Sequence, residues 1–279
     1  MKVLICGLGR MGKIHKKYVE QLDVPWVFYD PYIDNATAKN QITNLTDIDS
    51  VGVTHVIISS NEDRHYQNYL DIRAGGFSGP IMVEKPAVTQ KKDFAIFNDK
   101  LLTVGMVERF NPSIEVLKNN LVAEDVVSVD FVRCSVSSSA NKRVNSFVDV
   151  GIHDIDLYFH LFGKNIKFHN FSSYSNTYTL SLKDVNGFIS RFIWSNETSC
   201  KERNITIRHK NFTLEADLID QTVTKTSTTS DGKMLTQNLY VEKASPILRQ
   251  LQSFLNNQVS GDCKESHDFY LFLREEQNV

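Results

Sequence analysis

The segment FVDVGIHDIDLY, residues 147–158, places Asp149, His153, Asp154 and Asp156 among apolar neighbours. Side chains of these types support three kinds of behaviour. Imidazole and carboxylate groups bind metal ions, an imidazole with a pKa of about 6.5 exchanges protons near neutral pH, and the same groups line the solvated face of many helices. The remainder of the chain decides which of the three applies.

Helical geometry separates the four residues into two sets. At about 100° per residue, Asp149 and His153 fall on one face of a helix, whereas Asp154 and Asp156 do not share that face. We therefore predict that His153 is a general base and that the Asp149 carboxylate orients it. The structural alternative for this pair is an N-cap aspartate and a hydrogen-bonded core histidine. We expect Asp154 and Asp156 to bond nearby backbone or domain-contact groups.

Lys85 is the second candidate for chemistry. It follows the apolar run PIMVE, residues 80–84, and precedes Pro86, which restricts the local backbone. Its ammonium group can hold a substrate oxygen by a charge-assisted hydrogen bond and polarise it. Lys85, Asp149 and His153 form the predicted catalytic set, and we expect the site in a cleft between two domains. The sequence leaves open whether Lys85 or His153 carries the proton.

The chain begins with a strand, a glycine-rich turn and a helical pattern. Gly7, Gly9 and Gly12 stand at G-x-G-x-x-G spacing, which allows a tight turn, close approach of backbone to a pyrophosphate and close helix packing. Asp30 ends the next apolar run, where a carboxylate accepts hydrogen bonds from both ribose hydroxyls of NAD and repels a 2′-phosphate. The pattern predicts NAD as the cofactor; a plain tight turn and a solvated strand end are the alternatives.

The pattern of predicted strands and helices changes at about residue 112. Up to residue 112, apolar strands alternate with helical segments, which predicts a parallel, doubly wound Rossmann dinucleotide-binding domain over 1–112. Longer β-rich runs dominate 113–279, and Asn186-Gly187 and Asp231-Gly232 are typical of hairpin turns. We therefore expect an α/β protein with a C-terminal α+β domain, built on a mainly antiparallel open sheet, for substrate binding and oligomerisation. Helices should cover one face of that sheet and another subunit the other.

Composition disfavours several classes of function. The 279 residues carry a net charge of −2, which gives no field that would gather nucleic acid or an anionic membrane. No charged leader or membrane-length apolar run is evident. The four cysteines lie far apart, and no third ligand accompanies Asp149 and His153, so neither a disulfide framework nor a metal site is indicated. We expect a cytoplasmic homo-oligomer, a dimer or a tetramer.

Three motifs in this order resemble a known family. The Rossmann pattern, then Glu84-Lys85-Pro86, then Asp149 and His153 opening the second domain are similar to the glucose-fructose oxidoreductase / inositol dehydrogenase / MocA (Gfo/Idh/MocA) family. Within it, the UDP-N-acetylglucosamine 3-dehydrogenase branch is similar over residues 104–118, 149–157 and 245–255. The chain departs at Ser60-Asn61, where the family usually has Thr-Pro, and at Met106, where the branch tends to have His.

The resemblance implies an NAD(P)-dependent dehydrogenase that exchanges a hydride with a secondary hydroxyl or ketone of a sugar or nucleotide sugar, such as the 3-position of UDP-N-acetylglucosamine. It implies cofactor contacts from Gly7, Gly9, Arg10, Met11, Gly12, Asp30, Ser59, Ser60, His65, Glu84 and Lys85. It implies substrate contacts from Lys85, Asn111, Arg143, Asp149 and His153. Arg143 would grip a diphosphate, unless its loop is merely solvated.

Other functions stay open on the sequence. A free polyol or an inositol-like compound is an alternative substrate. A catalytically idle relative that binds NAD or a sugar is a second alternative, and a metal-dependent hydrolase or lyase built around His153 is a third.

Overall fold

The computed structural model of the protein describes residues 1–33, 40–136, 145–163, 166–258 and 263–277. Its contacts divide the chain into two compact units, Met1–Val107 with Ile247–Lys264, and Glu108–Pro246 with Glu265–Val279. The predicted functional division at residue 112 stays a prediction.

The helices and strands of the described ranges are numbered in chain order. The strands are β1 Val3–Cys6, β2 Trp26–Tyr29, β3 His55–Ile58, β4 Ile81–Val83, β5 Leu102–Val104, β6 Val126–Val136, β7 Ile166–Tyr174, β8 Thr177–Asp184, β9 Ile189–Thr198, β10 Glu202–His209, β11 Phe212–Asp217, β12 Thr222–Thr228 and β13 Met234–Leu239. The helices are α1 Arg10–Gln21, α2 His65–Ala74, α3 Pro112–Asn120, α4 Ile152–Phe162, α5 Pro246–Leu255 and α6 Lys264–Gln277. None of these helices is long and apolar enough to cross a membrane.

A five-stranded parallel sheet organises the first unit, in the order β2-β1-β3-β4-β5. Strands β1, β3 and β4 are buried along their whole length, as expected when both faces of a parallel sheet are covered. This confirms the predicted Rossmann-like sheet. A 3-10 helix, Lys91–Asn98, lies between β4 and β5.

Helix α5 belongs to the core of this same unit. Its residues Leu251, Phe254 and Leu255 form one apolar cluster with Val3 and Ile5 of β1. The helix is strongly amphipathic, because apolar residues recur along one face. The apolar face of α5 therefore packs against residues of β1 that lie more than two hundred positions earlier in the sequence.

An eight-stranded sheet organises the second unit, in the order β13-β12-β11-β10-β6-β9-β8-β7. Its pairs are antiparallel except for β6 and β9, which are parallel, so the predicted mainly antiparallel sheet is confirmed. Gly187 and Gly232 have φ values of +96° and +80°, a conformation that glycine adopts without strain. Both lie in the predicted hairpin turns.

The segment that carries Asp149 and His153 is helical. A π-helical turn, Phe147–Gly151, leads directly into α4. The Phe147 ring is fully buried and its centroid lies 4.8 Å from that of Phe171 and 5.2 Å from that of Tyr270. An aromatic contact cluster therefore fixes the start of this helix on the sheet.

Candidate active site

The carboxyl ends of the five parallel strands meet at one edge of the first sheet. Immediately after each strand stands one residue of interest: Gly7, Asp30, Ser59, Glu84 and Gly105. In open α/β sheets, ligands bind at this edge. The topology thus brings together most of the residues predicted to contact the cofactor.

Two of the three glycines are required by packing within the protein. Gly7 has a φ of +94°, and a Cβ there would lie 2.6 Å from the backbone N and Cα of Ser60. A Cβ on Gly12 would lie 1.9 Å from the carbonyl oxygen of Gly7. The Ser59 hydroxyl donates to that same carbonyl over 2.9 Å. The turn therefore packs tightly between β1, α1 and the end of β3.

Gly9 differs, because a Cβ there would meet no heavy atom within 4 Å. Gly9 is the N-cap of α1, and neither a side-chain cap nor an acidic residue accompanies the first turn, which opens with Arg10 and Met11. The first N–H groups of a helix carry partial positive charge and lack partners inside the helix. This end of α1 fits a pyrophosphate approaching the open face of Gly9.

Asp30 lies against the glycine turn. Its Oδ2 accepts from the Leu8 N–H over 2.9 Å and its Oδ1 accepts from the Tyr32 N–H over 3.0 Å. Each carboxylate oxygen has a second lone pair, so the group can also accept hydrogen bonds from a ribose diol. These contacts fit the predicted role of Asp30 towards NAD.

Ser60 and His65 connect two of the loops at this edge. The Ser60 hydroxyl accepts from Asn68 over 2.8 Å. The buried His65 ring places Nε2 2.9 Å from the Ser60 carbonyl oxygen and Nδ1 2.8 Å from that of Pro86. Both ring nitrogens therefore face carbonyl oxygens, which only accept hydrogen bonds. Direct cofactor contact by either residue stays a prediction.

Lys85 is half-buried, directly after the buried Glu84. Oε1 of Glu84 lies 2.6 Å from Nε2 of His15, and Oε2 accepts weakly from the Lys85 N–H at 3.3 Å. Burial by itself raises the pKa of Glu84, but the His15 hydrogen bond and the charges of His15, His65 and Lys85 bring the pKa below its usual value. Glu84 is therefore a buried anion beside the predicted catalytic lysine.

Asp149 and His153 occupy the second unit. Asp149 is exposed in the π-helical turn, and its N–H donates to the carbonyl oxygen of Asn145, which precedes the turn, over 3.0 Å. His153 is half-buried at the start of α4. The helical spacing that motivated the pair is thus present. Its role in proton transfer, like the joint action of Lys85, Asp149 and His153, stays a prediction.

Asp154 and Asp156 are buried anchors of α4. Asp154 accepts from Arg133 at 2.7 to 3.0 Å and from the Trp194 indole at 2.9 Å. Asp156 accepts from Arg109 twice at 2.6 Å and from the Ser266 hydroxyl at 2.8 Å. Their partners are side chains of other elements, where backbone or domain-contact groups were expected. These bonds hold the helix that presents His153.

The Arg133 side chain also joins a second carboxylate. It donates to Glu108 at 2.8 Å, and Arg203 reaches the same oxygen at 3.1 Å. Burial lowers the pKa of Arg133, but Asp154 and Glu108 outweigh it and the net shift is upward. These buried hydrogen bonds join β6, α4 and Glu108, so we assign the network to the scaffold of the second unit.

The remaining predicted residues differ in what surrounds them. Asn111 is buried, caps α3 by accepting from the Ser113 N–H at 3.1 Å, and donates to the Leu218 carbonyl at 2.9 Å. The Asn111 amide already makes hydrogen bonds within the second unit. Contact with a substrate would therefore require it to make an additional hydrogen bond. Arg143 lies outside the described residues. Within the described ranges, no group of three or more His, Cys, Asp or Glu side chains is arranged to hold a metal ion.

Sequence reasoning missed His15 and the arginine partners of the two buried aspartates. His15 lies on the buried stripe of α1 with Gly12 and Val19, and a histidine on an apolar stripe was the available signal. The pairing of Asp154 with Arg133 spans 21 positions and that of Asp156 with Arg109 spans 47. Such pairings depend on tertiary structure, which no spacing rule encodes.

Comparisons with known proteins place this geometry in context. The chain matches no family model and no curated protein sequence. Solved structures do match. UDP-N-acetylglucosamine 3-dehydrogenase GnnA from Acidithiobacillus ferrooxidans superposes with a TM-score of 0.85 at 16% identity, over 99% of this chain and 96% of that one. The chain has the fold of Gfo/Idh/MocA-type dehydrogenases.

Two further structures agree. Levoglucosan dehydrogenase in complex with NADH has a TM-score of 0.79 at 12% identity, covering 99% of this chain and 97% of that one. The dehydrogenase MviM from Clostridium difficile has a TM-score of 0.77 at 18% identity, covering 100% and 98%. At these identities the likeness concerns the fold, and the activity has to be argued from the residues.

Proposed function

We propose that this protein is an NAD-dependent oxidoreductase of the Gfo/Idh/MocA family that transfers a hydride between the nicotinamide and a secondary hydroxyl or ketone of a sugar or nucleotide sugar. One observation carries the proposal. The uncapped end of α1 leaves the Gly9 face open, and the Asp30 carboxylate is bonded to the Leu8 N–H beside it. An anion-binding helix end next to a diol-binding carboxylate is what a dinucleotide requires.

The residues of the chain have distinct tasks in this reaction. A bound NAD supplies the hydride acceptor. His153 takes the proton of the substrate hydroxyl, and Asp149 orients the imidazole and stabilises its protonated form. Lys85 donates a charge-assisted hydrogen bond to the same oxygen and stabilises the negative charge that develops there. In the reverse direction, His153 returns the proton to the oxygen.

The substrate class is supported by the structural neighbours. One acts on UDP-N-acetylglucosamine and another on levoglucosan, by their names. We propose a sugar or nucleotide-sugar hydroxyl, with the 3-position of UDP-N-acetylglucosamine or a related sugar as the first candidate and Arg143 as a diphosphate ligand. A free polyol or inositol-like substrate is the second candidate, because the proposed roles of Lys85, Asp149 and His153 require only a secondary hydroxyl in the substrate.

We further propose a homo-oligomer, a dimer or a tetramer, in the cytoplasm. Ile189 and Ile193 of β9 are 49% and 40% exposed on the outer face of the second sheet, and a second copy would cover them. The four cysteines are all free thiols, which supports a reducing compartment.

A two-stage experiment tests the function. Thermal unfolding of the protein with saturating NAD is screened against nucleotide sugars, free sugars and polyols, since a ligand of the folded state raises the melting temperature with concentration. Each hit is then tested for NADH absorbance. Ligand-dependent stabilisation without any NADH would instead support a catalytically idle sugar-binding relative, and the absence of NAD binding would refute the proposal.

A further inference from the structure

His15 and Glu84 form a buried contact that the proposed reaction does not yet use. His15 has no exposed surface, and its Nε2 lies 2.6 Å from Oε1 of Glu84. The lowered pKa of Glu84 keeps the carboxylate ionised, and an ionised carboxylate only accepts. Nε2 of His15 is therefore the donor. The bond links α1, the helix of the proposed pyrophosphate site, to the loop after β4.

Glu84 is held on further sides. A Cβ on Gly105, the residue after β5, would lie 3.2 Å from both carboxylate oxygens of Glu84, which is tighter than an ordinary van der Waals contact. Oε2 of Glu84 faces the Lys85 N–H at 3.3 Å. The carboxylate thus fits between α1, the end of β5 and the backbone of Lys85, with little room to shift.

A second histidine holds the other side of Lys85. Nδ1 of His65 lies 2.8 Å from the carbonyl oxygen of Pro86, the next residue. The Lys85 backbone is therefore held on its amide side through Glu84 and on its carboxyl side through Pro86. Of these two connections, only the one through Glu84 leads to the helix of the glycine-rich turn.

We infer that His15 is a positioning residue for Lys85 and acts through Glu84. The inference rests on the proposed function, in which Lys85 holds the substrate oxygen. The His15–Glu84 bond fixes the position of the Lys85 backbone relative to the N-terminal end of α1. It thereby fixes the position of the Lys85 ammonium group relative to a dinucleotide bound at that end. Reacting groups must be held closely, since a misplacement of about 1 Å costs about 10²-fold in rate.

A matched pair of substitutions tests this. In His15→Gln, the amide nitrogen takes the place of Nε2 and can still donate to Glu84, whereas the shorter side chain in His15→Asn does not reach. We expect His15→Asn to lower kcat by about 10²-fold with NAD affinity and substrate KM near wild type, and His15→Gln to recover most of the loss. The control is His55→Gln, a buried histidine at the opposite, amino-terminal end of β3, with kcat unchanged.

Three results would overturn the inference: wild-type kcat in His15→Asn, equal losses in the Asn and Gln variants, or a loss of kcat that merely follows weaker NAD binding. If His15→Asn does not fold, Glu84→Met makes the same test, because it keeps most of the side-chain volume and removes the oxygen that accepts from His15. Unchanged kcat in that variant also overturns the inference.

A readout independent of turnover separates this inference from the proposed function. The rate at which an amine-specific acylating reagent modifies Lys85 is measured by peptide mass spectrometry, with Lys91 and Lys100 as internal references. We expect His15→Asn to change the Lys85 rate alone and His15→Gln to restore it. An altered Lys85 rate in an enzyme without any dehydrogenase activity would refute the function and keep the positioning role, and an unaltered rate refutes the positioning role itself.

Discussion

At the scale of single residues, the segment 147–158 combines two kinds of carboxylate with one histidine. Asp149 is exposed next to the helix start, whereas Asp154 and Asp156 are 2% and 1% exposed and paired with arginines. Both buried carboxylates accept short charge-assisted hydrogen bonds, Asp154 from Arg133 and Asp156 from Arg109, and these bonds hold α4 in place. Of the four residues, Asp149 and His153 are the proposed acid–base pair.

His153→Ala should lower kcat by about 10² to 10⁴-fold while NAD affinity stays nearly unchanged, as expected for the removal of a general base. Asp149→Asn should also slow turnover, because an amide does not stabilise the imidazolium. Steady-state kinetics and NAD titration provide the measurements. His160→Ala, on the same helix, is the control. Wild-type turnover in a folded, NAD-binding His153→Ala enzyme would leave Lys85 as the leading proton carrier.

Asp30 decides the cofactor preference. We expect tighter binding of NAD than NADP, since the carboxylate bonds the ribose diol and repels a 2′-phosphate. Asp30→Ala should weaken the binding of NAD and reduce the difference in affinity between NAD and NADP, as measured by titration with both cofactors. Glu20→Ala, which removes an exposed carboxylate from α1, should change neither affinity. Equal affinities in the wild-type protein would contradict this role of Asp30.

The sequence predicts the polar residues at strand ends because the parallel sheet aligns those ends at one edge. Asp30 and Lys85 could be found in this way. His15 could not, because its partner Glu84 lies 69 positions away, and the bond exists only once α1 has packed beside β4. The same holds for the arginines that pair with Asp154 and Asp156.

At the scale of elements, two glycines of the glycine-rich turn have different roles: Gly12 is required for folding, and Gly9 is proposed to be required for NAD binding. Gly12→Ala should destabilise the protein, because its Cβ would lie 1.9 Å from a backbone oxygen, whereas Gly9→Ala meets open space. Gly9→Ala should therefore keep its melting temperature yet bind NAD more weakly, since its methyl group enters the pyrophosphate cradle. Thermal unfolding and NAD titration distinguish the two. NAD binding of wild-type strength in Gly9→Ala would place the pyrophosphate elsewhere.

Element prediction succeeded where local signals agree with tertiary structure. The Asn-Gly and Asp-Gly turns of the β8–β9 and β12–β13 hairpins are examples. Local signals are weaker in β7, an edge strand that is exposed at most of its positions and so lacks a clear apolar alternation. Residues 269–273 form an apolar run in the middle of α6.

At the scale of the whole molecule, stability should fall with acid. Burial, followed by the charges of Arg109 and Lys118, lowers the pKa of His160 to about 4, so the unfolded chain binds its proton more readily. The melting temperature should then fall as the pH decreases from about 6.5 towards 4. The pKa values of Glu84 and Glu108 are also lowered. The loss of stability therefore continues at lower pH, where these carboxylates become protonated.

Thermal unfolding between pH 7 and pH 4 measures this dependence. His160→Gln has no ionisable group there and should flatten the curve between about pH 6.5 and 4. A melting temperature that is constant from pH 7 to pH 5 in the wild-type protein would contradict the lowered pKa of His160 in the folded state.

The return of α5 to the first sheet has a consequence for the protein during its synthesis. Val3 and Ile5 leave the ribosome early, but the helix that completes their apolar cluster begins only at Pro246. Domains made earlier in a chain generally fold first. Here the second sheet, from β6 to β13, is translated while the first unit still exposes apolar surface, so the amino-terminal unit is completed only after that whole sheet has been made.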